Sequence, residues 1–199
     1  MTAALHSGPR ASRMQTHKHH IQNVIISHPV RQDENNFEAA LLLDERSELM
    51  NDHQTGQHIQ GMILIEAARQ MFLAVSEEYF IDTHELKPYY FVINQIAVKF
   101  TGFVFPVAVA LCYRINSKDV FRPSRMHFDV TVSFMQGGVC VTEVSFQFTA
   151  FYAEKIKEKE HAQATQILSL LAAESAYFQP DALLPIRLDS GVCHAKDIL

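Results

Sequence analysis

The chain has only three cysteines, Cys112, Cys140 and Cys193. Their number is odd and they lack metal-ligand spacing. No disulfide framework or zinc module is indicated, and a reducing cytoplasm is the expected setting. Cys112 and Cys140 lie in apolar, strand-like runs and read as buried thiols. No run of basic residues stands out, and 17 Lys+Arg against 22 Asp+Glu leave a net charge of −5. A nucleic-acid partner is therefore not expected. No stretch approaches the roughly twenty continuous apolar residues of a membrane span. Residues 1–15 have no apolar core of the kind a secretory signal carries, and read as a polar, flexible tail. The sequence has no internal repeat.

Apolar material is plentiful, at 48% of 199 residues. That suits one well-packed core with tails better than two domains. The expected divisions are a tail over 1–15, a domain over 16–153, and a C-terminal helix and loose tail over 154–199.

Asn23 to Ser27 and Phe37 to Leu43 read as short strands flanking a polar turn over Asp33 to Asn36. Asp44 to Gln60 is polar and ends at Gly61. From Met62 to Phe80 there is no Gly or Pro, and apolar residues lie nearly all round the helical projection. Such a helix is buried by other elements rather than laid on a surface. Glu66, Arg69 and Gln70 interrupt it, which argues against a membrane span. Period-two strands follow over Phe91–Phe100, Val104–Ile115 and Met126–Met135. Phe128, Val130, Val132 and Phe134 alternate with polar residues, Gly137-Gly138 signals a tight turn, and Val144, Phe146, Phe148 and Ala150 return. Half-polar strands cover a core on one face only. The expected class is α+β: a single hotdog fold, in which a curled antiparallel sheet wraps a long central helix. After a charged run over Glu154 to Glu160, Ile167, Leu168 and Leu171 share the stripe of a short amphipathic helix.

The segment from Asn51 to Gln70 carries the chemistry. A polar loop with two histidines meets a glycine and then the buried helix. Helix N-termini present unpaired N–H groups and partial positive charge. Those near Gly61 and Met62 suit a thioester carbonyl or an oxyanion, and glycine permits the close approach. Glu66 is a carboxylate among Ile63, Leu64, Ile65 and Ala67. Burial would raise its pKa toward a value useful for proton transfer. The alternative is a structural pairing with Arg69 at i+3 or Gln70 at i+4. His53 is either a base or orienting group, or a loop histidine bonded to backbone. His58 reads as structural or substrate-facing. His53, His58 and Glu66 match no standard zinc spacing, so no metal or other cofactor is expected.

Asp52-His53-Gln54-Thr55-Gly56-Gln57-His58, then Gly61-Met62 and Leu64 to Gln70, resembles the signature of the A-factor biosynthesis hotdog family. That family includes enzymes of gamma-butyrolactone signal synthesis. The resemblance covers His17 to Tyr152, with His17-Lys18 similar to the family's usual start. It implies condensation of a beta-ketoacyl thioester with a glycerol-type phosphate such as dihydroxyacetone phosphate. Acyl carrier protein or acyl-coenzyme A would be the donor. Asp52, Thr55, Gly56, His58, Arg69 and Gln70 would bind substrate, with Glu66 and His53 catalytic. Arg122 and Arg125, flanking Pro123-Ser124, are either phosphate contacts or solvated loop charges.

A more distant similarity reaches the hydroxyacyl-carrier-protein dehydratases, in which His53 would match the catalytic histidine and Glu66 the acid. The histidine-to-glutamate spacing here is one residue shorter, and Thr55 and Gln60 stand where prolines are usual. Val104-Phe105-Pro106 after Ile96 to Phe100 resembles the strand-turn-strand of acyl hotdogs. The best-known family members contain two hotdog halves and this chain has one, which implies a homodimer. Three activities stay open: acyl transfer, thioester hydrolysis or dehydration, and acyl or carrier binding without turnover.

Overall fold

A computed structural model describes residues 8–48, 56–81 and 88–177. Two compact units divide the chain, residues 1–156 and 157–199. The first unit holds strands β1 (Val30–Arg31) and β2 (Asn36–Ala40), helix α1 (Gly61–Tyr79), and strands β3 (Tyr89–Phe100), β4 (Ala110–Asp119), β5 (Arg125–Gln136) and β6 (Val139–Tyr152). They form one antiparallel sheet in the order β1-β2-β4-β5-β6-β3. This is the α+β hotdog arrangement that the sequence pattern predicts.

The β5–β6 hairpin forms where alternation and Gly137-Gly138 place it. Both glycines have positive φ, 60° and 82°, which a tight two-residue turn needs and side chains resist. Phe128, Val130, Val132 and Phe134 turn inward on β5, and Val144, Phe146, Phe148 and Ala150 on β6. Helix α1 lies against that face. Phe72 stacks on Phe148 with centroids 4.3 Å apart and meets Phe146 edge-on at 5.0 Å. Burying each such aromatic contributes about 1.5–3 kcal/mol. Around α1, Ile63, Leu64, Ala67, Ala68 and every residue from Gln70 to Ser76 are buried, which is why its apolar residues are not confined to one stripe.

Local differences from the sequence reading have physical causes. The strand expected over Val104–Ile115 starts only at Ala110. The preceding segment instead turns to the helix loop, where Ile59 N–H donates to the Val104 carbonyl at 2.7 Å. The expected strand over Asn23–Ser27 is a 3-10 turn, Ile21–Asn23, followed by isolated bridges of Ile26 with Leu41 and Arg10 with Ser27. Ala11 is buried, and residues 1–7 lie outside the described residues. Cys112 and Cys140 are half-buried, on strand faces turned from the helix, and burial pushes the Cys112 thiol up.

Helix α2 (Ala153–Tyr177) continues from β6 and takes in the charged run as well as the apolar stripe. In the second unit Ile167, Leu168, Leu170 and Leu171 are exposed. No helix among the described residues is long and apolar enough to cross a membrane.

Candidate active site

A cavity of about 450 Å³ opens at the N-terminal end of α1. Ile59, Leu64, Phe100, Phe103 and Val104 make its walls mainly apolar, and His58, Gly61, Thr101 and Gly102 complete it. The loop that enters the helix is held by the Ile59–Val104 hydrogen bond and by the His58 ring, 4.7 Å from that of Phe103. Gln60 is the N-cap and makes no side-chain cap bond. Ile63 N–H donates to the Gln60 carbonyl at 3.1 Å. Gly61 and Met62 precede that bond, so their N–H groups belong to the unpaired first turn. They carry the positive end of the helix dipole toward the cavity side. Gly61 stands under the ring of Phe100, which a side chain there would have to displace.

One turn further along α1, Glu66 is enclosed by donors. Its Oε1 accepts from Lys18 Nζ at 2.7 Å, Arg69 Nη2 at 2.8 Å and Gln70 Nε2 at 2.9 Å. Its Oε2 accepts from Arg69 Nε at 2.7 Å. Burial alone raises the Glu66 pKa, but the Arg69 guanidinium, Lys18 and Gln70 outweigh it and hold the carboxyl below its ordinary range. The expectation of a raised pKa is therefore corrected: both structural pairings weighed from the sequence are present, and a third donor, Lys18, joins them. Gln70 is fully buried. Its Oε1 accepts from Ile25 N–H at 2.9 Å and its Nε2 donates to the Asn23 carbonyl at 2.8 Å. This cluster ties the N-terminal segment to the helix.

The fold thus gathers Gly61, Met62 and His58 at one end of α1 and groups Glu66, Arg69 and Gln70 one turn away. Glu66 does not line the cavity. Arg69 lines a second cavity of about 200 Å³ with His17, Phe72 and Tyr89 to Phe91. Gly56 is exposed, while Asp52, His53 and Thr55 lie outside the described residues. Arg122 and Arg125 are not brought to this end. Arg125 pairs with Phe151, which pairs with Tyr90, whereas Phe100, beside Gly61, pairs with Thr142 and through it Phe134. The two ends lie nine positions apart along β5, about 30 Å at strand rise.

Sequence reasoning missed Lys18 as a partner of Glu66, and Phe100 and Phe103 as cavity walls. Lys18 is 48 positions from Glu66, with no local signal linking them. The alternation of β3 marks Phe100 only as one face of a strand.

A family model described as the A-factor biosynthesis hotdog domain matches residues 8–152. No curated protein matches the chain. Among solved structures, a conserved protein from Pseudomonas aeruginosa is similar at 18% identity, covering 70% of this chain and 99% of that one, with a TM-score of 0.48. A mutant thioesterase from the same organism is similar at 14% identity, covering 76% and 96%, with a TM-score of 0.49. An uncharacterized protein from Pyrococcus horikoshii is similar at 17% identity, covering 62% and 82%, with a TM-score of 0.42.

Proposed function

The chain belongs to the A-factor biosynthesis hotdog-domain family, and from that premise we propose that it is a cytoplasmic enzyme transferring a beta-ketoacyl group from an acyl carrier protein or coenzyme A thioester to a glycerol-type phosphate. The observation that carries this reading is the mainly apolar cavity lined by Gly61, the first residue of α1, where a helix has N–H groups without intrahelical partners. The acyl chain enters the cavity, and the thioester oxygen sits at the helix N-terminus. There the dipole and N–H groups stabilise the charge that develops on attack.

In the proposed step the acceptor hydroxyl oxygen bonds to the thioester carbonyl carbon and the carbon–sulfur bond breaks. The hydroxyl proton passes to a base and then to the departing thiolate. His53 and Glu66 are the candidates for that base. Glu66, which does not line the cavity and whose partners lower its pKa, is the weaker candidate for the base, and held ionised it is no proton donor. That disfavours dehydration, which needs a proton donor for the leaving hydroxyl. Asp52, Thr55, Gly56, His58 and Arg69 are proposed to orient the substrate, while Gln70, expected from the resemblance to do so as well, is fully buried and bonded to Ile25, Asn23 and Glu66 and is assigned to holding Glu66.

One observation favours hydrolysis as a second reading. The Arg122–Arg125 pair lies about 30 Å along the sheet from Gly61 in the same chain. If no cation meets the acceptor's phosphate at the cavity, water takes the acceptor's place in the same step.

A homodimer is part of the proposal. Strand β3 is a twelve-residue sheet edge on which Tyr90, Ile93, Ile96 and Phe100 are exposed. A long apolar edge invites pairing with another chain. A second copy would supply the second half present in two-hotdog relatives, and would allow His53 of one subunit to face Glu66 of the other.

The test is to incubate the pure protein with a beta-ketoacyl-carrier protein or the coenzyme A thioester, with and without dihydroxyacetone phosphate, and follow products by mass spectrometry. Thiol release that requires the phosphate supports transfer. Release in water alone supports hydrolysis. Loss of water from a 3-hydroxyacyl thioester, or binding without turnover, overturns both.

A further inference from the structure

At the end of the sheet remote from Gly61, the β4–β5 connection forms a cleft of about 580 Å³ lined by Asp119, Phe121, Arg122, Arg125 and His127. Other arginines of the domain are engaged: Arg69 with Glu66, and Arg10 and Arg46 with Asp44. Among the described residues no carboxylate pairs with Arg122 or Arg125. Two arginines against one aspartate leave this cleft cationic on a chain whose net charge is −5. Phe121 stands beside them at 90% exposure. The turn is shaped by Phe121 N–H donating to Asp119 Oδ1 at 3.3 Å and Arg125 N–H to the Arg122 carbonyl at 2.9 Å. His127 Nδ1 lies 3.2 Å from Thr149 Oγ1, whose proton goes to Asn94 Oδ1 at 2.8 Å. The threonine oxygen therefore accepts from Nδ1–H, and Nε2 of His127 remains for a ligand.

We infer that this cleft is a second binding site, for a nucleoside phosphate. Paired guanidinium groups recognise phosphate oxygens through charge-assisted, bidentate hydrogen bonds. An exposed aromatic ring beside them offers a stacking face to a planar base. The one carboxylate, Asp119, can accept from ribose hydroxyls, a role acidic residues take in nucleotide sites. The three parts of a nucleotide thus find three kinds of side chain within one turn and its flanking strands. The site goes beyond the acyl-thioester reading: in one chain it lies about 30 Å along the sheet from the helix N-terminus. It needs no thioester chemistry to be occupied.

Titration calorimetry of the full chain with ADP, with inorganic phosphate and with adenosine tests it, with circular dichroism as a check of folding. ADP is expected to bind more tightly than phosphate or adenosine. Arg122→Ala/Arg125→Ala should weaken ADP at least tenfold, and Phe121→Ala should weaken ADP while leaving phosphate unchanged. Both variants alter exposed residues, so the fold is expected to persist. Amide hydrogen exchange should show protection by ADP confined to residues 119–127 and their strand neighbours. Absence of ADP binding, binding unchanged by the double arginine variant, or protection mapping to α1 would overturn the inference. Because no readout involves turnover, these results are independent of those that decide the acyl-transfer proposal.

Discussion

The ring of Phe100 lies across the first residue of α1: a Cβ added to Gly61 would stand 2.7 Å from its Cζ. An edge-strand side chain thereby sets how much space remains above the helix N-terminus. The ring is itself 55% exposed and meets Gly61 through Cζ, the far end of the side chain, so an intruding methyl group would move the ring rather than break the helix.

From that contact, Gly61→Ala is expected to change stability by less than about 1 kcal/mol, because alanine's better helix propensity offsets displacement of the ring. Acyl-thioester binding should weaken, since the ring is driven into the cavity mouth. Adding Phe100→Ala should restore it. Calorimetry with an acyl-coenzyme A and urea denaturation of both variants provide the comparison. Undiminished binding by Gly61→Ala would show that this ring does not limit the site.

Glu66→Gln should destabilise the fold by about 1.5–3 kcal/mol at neutral pH, the range for hydrogen bonds to a charged group. The pH dependence follows from the sign of the shift. A carboxyl whose folded pKa is depressed stabilises the fold above its ordinary value of 4.5, and loses that contribution as pH falls through the lower folded value. The gap between wild type and Glu66→Gln should therefore narrow below pH 4.5. Urea titrations at pH 7 and at successively lower pH measure it. A gap that does not vary with pH would remove the ion cluster as its cause. Turnover is also expected to fall if the ionised carboxylate serves as the base, and activity equal to wild type would assign Glu66 to structure alone.

Gln70→Leu keeps most of the side-chain volume but strands Ile25 N–H and the Asn23 carbonyl in a buried setting. Two unsatisfied buried groups cost about 2–6 kcal/mol together. Chemical denaturation should show at least the lower figure. A loss under 1 kcal/mol would mean that water replaces the amide, which full burial of this residue argues against.

The dimer proposal predicts that Ile93→Lys/Ile96→Lys converts a dimeric wild type to monomer in analytical ultracentrifugation. Both residues are exposed on the β3 edge, so folding of the single chain should survive, as circular dichroism would report. A monomeric wild type at micromolar concentration would sink the dimer itself.

The amino-acid order alone decided where α1 and the β5–β6 hairpin lie. Continuous helix formers without Gly or Pro, and strict alternation around Gly137-Gly138, are local signals that neighbouring residues read directly. It also placed the glycine-to-helix junction at Gly61, because the change from polar loop to apolar helix is visible along the chain. Only the tertiary structure decided which groups face one another. Periodicity assigns a residue to a face without saying what stands opposite. Lys18 reaches Glu66 across 48 positions and joins Arg69, the larger influence, in lowering its pKa against the expected direction. Strand register carries Arg125 to the end of the sheet away from Gly61, although both had been candidates for one site. Proton affinity and site membership depend on distance and on burial, and those are set by how the sheet closes over the helix.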